Sequence, residues 1–119
     1  MTELTGWGRF PRVEAEVTAG EDLVRESTRV ALSRGLGRAY GDAALPADGG
    51  PVLKTVRGDR FLDFDPESGV LRAEAGLSQS TLMRTLLARN WFTPVSPGTQ
   101  YVTLGGMVAS DIHGKNHHV

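Results

Sequence analysis

Cysteine is absent from this 119-residue chain, which excludes disulfides, thiolate metal sites and a cysteine nucleophile. An excess of either charge is missing too. Thirteen Lys and Arg against 14 Asp and Glu leave a net charge of −1, so neither nucleic acid nor an anionic membrane gains a general electrostatic attraction. No apolar run approaches the roughly 18 residues of a membrane-spanning helix, and the start lacks the basic-then-apolar pattern of a signal peptide. These absences predict a soluble, cytoplasmic protein with no nucleic-acid partner and no membrane span. Core-forming residues are modest, at 39% hydrophobic and 7% aromatic, whereas glycine is abundant at 15. A chain of this length makes one domain or part of one and buries about two thirds of its unfolded surface. Few apolar residues and many glycines fit a loop-rich ligand-binding domain better than a helical bundle.

Local patterns give a coarse order of elements. Residues 1–12 read as an irregular lead, with Trp7 between two glycines as a terminal anchor or, less expectedly, a ligand contact. Residues 13–17 alternate and predict a strand, and an acidic pair, Glu21 and Asp22, opens a short helix ending at Ser27. Residues 29–33 predict a buried strand that runs into a glycine-rich loop, and residues 52–55 another strand after a turn-rich excursion. Alternation over 60–65 and 70–75 around Pro66-Glu-Ser-Gly69 predicts a β-hairpin with one wet face. Ser78 is a good N-cap for a helix whose Leu82, Met83, Leu86 and Leu87 form an apolar stripe read as core, and Asn90 is its stop.

Two stretches carry the chemistry. Arg34-Gly-Leu-Gly-Arg-Ala-Tyr-Gly-Asp42 sets glycines at 35, 37 and 41 directly after a strand. Successive backbone N–H groups in such a turn converge into a nest for an anion, phosphate above all, and Arg34 and Arg38 would add charge-assisted hydrogen bonds. The spacing misses the dinucleotide fingerprint by one residue, and the residues up to Pro46 do not open a crossover helix. A tight turn that needs positive φ explains the same glycines without any ligand.

The second stretch runs from Ser96 to His118. Glycine costs about 0.5–1 kcal/mol relative to Ala inside regular structure, so Gly98, Gly105, Gly106 and Gly114 need a reason, and close backbone approach to a ligand is the usual one. Pro97-Gly98-Thr99 reads as a turn that aims a hydroxyl and an N–H at a ligand. Thr103 reads as the cap of a helix starting near Leu104, whose free N–H groups would make a second anion-compatible element. Asp111, His113 and His117 raise a metal site. Gly114 argues against it, because the helical H-E-x-x-H motif needs Glu there. A polar cofactor pocket and satisfied loop polars are the other readings.

Taken together, these residues resemble FAD-dependent oxidoreductases of the vanillyl-alcohol-oxidase (PCMH) type. The resemblance is greatest to the decaprenylphosphoryl-ribose 2′-oxidase-like branch, with sugar-lactone oxidases more distant. It rests on the glycine loop, Pro97-Gly-Thr99, Val102-Thr-Leu-Gly-Gly106 and Asp111-Ile-His-Gly-Lys-Asn-His-His118 occurring in that order. The last octet is the specific part. The resemblance implies an α+β fold, the N-terminal part of a PCMH-type FAD-binding domain over residues 13–119, with a small mixed sheet, a hairpin and short helices. It assigns Arg34, Gly35, Leu36, Gly37, Arg38, Ala39 and Tyr40 to the flavin nucleotide, and Pro97, Gly98, Thr99, Val102, Gly105 and Gly106 to a second set of FAD contacts. His113, Gly114, Asn116 and His117 would lie along the flavin, with Tyr40 and His113 on the substrate side. No residue is assigned acid–base catalysis, and no metal is expected.

Covalently flavinylated relatives carry histidine where this chain has Arg38, so the FAD is expected to be non-covalent. Ala39 replaces a common serine, with a small expected effect. Family members continue well past this length, which predicts a fragment lacking the rest of the FAD domain and a cap, and inactive alone. The complete enzyme would take a hydride from a secondary alcohol of a sugar- or polyol-like substrate. Two rival readings are a stand-alone flavin- or nucleotide-binding module and a His/Asp metal-dependent hydrolase.

Overall fold

A computed structural model describes residues 1–30 and 32–114. Apolar side chains at Leu4 and Val13 face each other where β1 (Thr2–Thr5) pairs antiparallel with β2 (Arg12–Ala15). The lead expected to be irregular through residue 12 therefore contains a strand. Burial is the reason: Leu4, 5% exposed, packs with Ala15, Leu45 and Val52 in the first of two small cores. The strand expected over 13–17 is split as well. Glu16 leaves the β1–β2 pair and its carbonyl accepts the Val52 N–H at 2.8 Å, which turns the chain into β3 (Val17–Ala19) and a different sheet.

That second sheet is parallel, with β5 (Val52–Lys54) between β3 and β4 (Leu32–Arg34). Helix α1 (Leu23–Ser27) joins β3 to β4, capped by Asp22, whose carboxylate accepts the Arg25 N–H. The strand predicted over 29–33 is shifted towards the loop and is not buried: Leu32 and Arg34 are half-covered and Ser33 is exposed. The buried residues lie in β5, where Val52 and Leu53 are 0% exposed and Lys54 reaches the surface, as a central parallel strand demands.

The predicted hairpin is present as β6 (Phe61–Phe64) and β7 (Leu71–Ala73). Helix α2 (Gln79–Leu87) follows with Ser78 as its cap, and Asn90 ends it at φ 63°. Leu77, Leu82 and Leu86 form the second core with Phe64, Leu71, Trp91 and Leu104, and Phe64 meets Trp91 edge-on at 5.8 Å. Leu87, expected in that stripe, is 51% exposed. Helix α3 (Leu104–Ala109) closes the described chain, capped by Thr103. The class is α+β, with parallel and antiparallel pairs in separate sheets. Among the described residues no helix is long and apolar enough to cross a membrane.

Candidate cofactor site

Strand β4 delivers the chain into the glycine loop. Gly37 takes φ 73° and Gly41 φ 58°, values that glycine adopts without strain. Among the described residues, none of the six backbone N–H groups of residues 35–40 donates to a protein acceptor. Gly35, Gly37, Arg38 and Ala39 are half-buried and Leu36 and Tyr40 exposed, so these six N–H groups are open to solvent or to a ligand.

The loop is fixed from several sides. A Cβ on Gly35 would collide with the Thr103 Oγ1, so the loop lies directly on the cap of α3. The Trp7 N–H donates to the Ala39 carbonyl at 2.9 Å, and a Cβ on Gly6 would meet the Gly41 and Ala39 carbonyls. Sequence reasoning missed these neighbours, apart from reading Trp7 as a terminal anchor.

The two arginines part company. Arg34, expected to face the anion, points inward. Its Nη1 donates to the Ala44 carbonyl at 3.0 Å and its Nη2 to the Thr5 carbonyl at 2.6 Å. Burial pushes its pKa down from the ordinary arginine value. Its role is to brace the loop against β1. Arg38 stays at the surface: its Nε donates to the Tyr101 carbonyl at 3.1 Å, and its guanidinium lies 4.7 Å from the Trp7 ring centroid.

The helix N-terminus expected as a second anion site is closed. Leu104 N–H donates to the Leu77 carbonyl, Gly105 N–H to the Ala75 carbonyl, and Gly106 N–H to Thr103 Oγ1. Gly105 has a packing reason, since a Cβ there would sit 3.2 Å from that of Ala75. Pro97, Gly98 and Thr99 line an open groove of about 360 Å³ with Gln79, Met83 and Phe92, and no residue of the glycine loop lines it. Gly98 itself faces open space. Val102 is half-buried, with its carbonyl on the Gln79 N–H.

Of the substrate-side candidates, Tyr40 is 79% exposed and His113 is exposed. Gly114 is half-buried, and Asn116 and His117 lie outside the described residues. Among the described residues no three His, Asp or Glu side chains gather as metal ligands.

The family described as FAD binding domain matches residues 9–119. Decaprenylphosphoryl-beta-D-ribose oxidase of Mycolicibacterium smegmatis (strain ATCC 700084 / mc(2)155) is 40% identical over 125 aligned residues, 97% of this chain and 27% of that protein. An "uncharacterized protein in mprA 5′region" of Streptomyces coelicolor is 51% identical over 37 residues, 31% of this chain and 10% of that protein. The chain thus spans 27% and 10% of these two relatives. With the family match across almost all of its length, the chain belongs to the FAD binding domain family, and FAD is its cofactor.

Proposed function

We propose that the loop of residues 35–40 grips the FAD pyrophosphate, and that the whole enzyme oxidises a secondary alcohol of a sugar- or polyol-like substrate. One observation carries the reading: six consecutive N–H donors without a protein acceptor among the described residues, in a loop held rigidly at both flanks. Those residues fit a diphosphate, which offers several acceptor oxygens and negative charge to a backbone nest. The relative's name, an oxidase of a phosphorylated ribose lipid, supports the substrate class.

Flavin, when bound, supplies the two-electron acceptor. The chain's own residues bind and orient. Arg38 adds positive charge at the mouth of the nest. Tyr40 and His113 are the side chains proposed to face the substrate, and on the resemblance His113, Gly114, Asn116 and His117 lie along the flavin. Gly105 and Gly106 have already given their N–H groups to the protein, so their share is close approach. With Arg38 where covalent relatives carry histidine, FAD is held without a covalent bond.

Titration of the chain with FAD and with riboflavin, followed by flavin fluorescence, tests this. FAD should bind more tightly than riboflavin, which lacks the diphosphate, and acid precipitation should leave all flavin in the supernatant. Equal affinity for the two would remove the loop from its role.

A further inference from the structure

The N-terminal lead reaches the loop by three routes. Arg34 Nη2 holds the Thr5 carbonyl, the Trp7 N–H holds the Ala39 carbonyl, and Gly6 lies so close that a Cβ would strike the Gly41 carbonyl. The Arg38 guanidinium lies over two aromatic rings, 4.7 Å from the Trp7 centroid and 5.9 Å from that of Tyr101. Its Nε is taken by the Tyr101 carbonyl, while among the described residues its Nη1 and Nη2 have no hydrogen-bonded partner. An arginine with its stem fixed and its terminal nitrogens free presents a preset pair of donors. An arginine that must give up rotamer freedom on binding loses part of the gain.

Both rings are half-exposed, Trp7 at 54% and Tyr101 at 51%. Neither is needed to fill a core, since neither belongs to the two buried clusters. Trp7 also lies just before the residues that the family match covers, which start at 9.

We propose that Trp7 and Tyr101 are positioning residues for anion binding: they clamp Arg38 so that its terminal nitrogens and the nest present one surface to the cofactor diphosphate. This rests on the assignment of the loop to the FAD pyrophosphate. Trp7 acts through Arg38 and does not itself touch the phosphate. Its removal therefore weakens FAD binding only as far as Arg38 contributes, by about two- to fivefold for an exposed cation–π contact of this kind.

The test compares Trp7→Ala, Trp7→Phe, Arg38→Ala and the Trp7→Ala/Arg38→Ala double variant in the full chain. With FAD as probe, W7A should weaken binding by that factor and W7F should restore most of it. The double variant should bind no worse than R38A, because the two residues act in series. FAD binding that is unchanged in W7A, or losses that multiply in the double variant, would overturn the clamp.

Amide and Arg38 Nε–H resonances in the FAD-free chain provide a readout independent of cofactor affinity. In W7A the Arg38 Nε–H and the amides of residues 35–40 should shift and exchange faster, with return in W7F and with β1–β2 protection unchanged. Resonances that stay in place in W7A sink the clamp even if FAD binds. Resonances that move in a chain that does not prefer FAD to riboflavin uphold the clamp and reject the pyrophosphate assignment. Loss of β1–β2 protection in W7A, with no return in W7F, would make Trp7 a folding residue and also overturn the proposal.

Discussion

At the scale of single residues, Thr103 joins the two halves of the site. It is 2% exposed, its Oγ1 accepts the Gly106 N–H at 3.1 Å, and the same side chain fills the space in front of Gly35. A methyl group at residue 35 has nowhere to go. Gly35→Ala should cost about 1–3 kcal/mol, as overpacking does, and weaken FAD binding because the loop must lift from its seat. Thr103→Ala should cost about 1 kcal/mol for the lost cap. The double variant should then be more stable than the sum of the two losses, since the collision partner is gone. Chemical denaturation of the three variants measures this coupling, and simple additivity would refute the collision.

The capping role of Thr103 was legible from its place before Leu104-Gly-Gly. Its contact with Gly35 was not, because nothing local in either segment encodes a neighbour so distant along the chain. Arg34 shows the same limit. An arginine beside a glycine loop reads as an anion ligand, yet burial and two carbonyls turn it inward.

At the scale of elements, helix α2 shows how far periodicity reaches. The spacing of Leu82, Met83, Leu86 and Leu87 defines an apolar stripe, but a stripe read from sequence has no edge. The hairpin and Trp91 cover only one side of it, leaving Leu82 at 3% and Leu86 at 8% exposed, and Leu87 at 51%. Leu82→Ala should therefore cost about 2–5 kcal/mol through the transfer and cavity terms. Leu87→Ala should stay within about 0.5 kcal/mol. Denaturant midpoints at constant m-value would check both, and comparable losses would mean that the stripe is wider than the structure allows.

Helix α3 carries the complementary lesson. Its cap and start were readable, but a free N-terminus was not guaranteed by them. The Leu77 and Ala75 carbonyls, brought in by the turn before α2, consume the N–H groups that an anion would need. After β4, among the described residues, no such carbonyls arrive, and the N–H groups of residues 35–40 stay open.

At the scale of the whole molecule, acid acts on the fold through the hairpin. The second core uses the β6–β7 hairpin as one wall, and two acidic groups on that hairpin are held in their charged form. Arg60 Nη2 and Nε grip one Glu74 oxygen at 2.7 and 3.1 Å, and the Arg60 N–H takes the other. The side-chain hydrogen bond from Arg60 is the main cause that lowers the Glu74 pKa, and the Ser68 hydroxyl is the main cause for Asp65. Asp65 is exposed, and the Glu74 side chain, 15% exposed, is covered mainly by an Arg60 side chain that itself stays in solvent, so each contribution is small and salt-sensitive.

Because both pKa values lie lower in the folded chain than in the unfolded one, the unfolded chain binds more protons on acidification. The stabilisation is complete above the ordinary carboxylate range and fades as pH falls from about 5 through the folded values. Thermal midpoints measured from pH 7 downwards should decline over that window. Glu74→Gln with Asp65→Asn should start lower at pH 7 and decline less steeply. Hydrogen exchange on the acid side should open β6 and β7 before the parallel β3–β5–β4 sheet, whose central strand is buried. A variant with an unchanged acid slope, or a parallel sheet that opens first, would contradict this order.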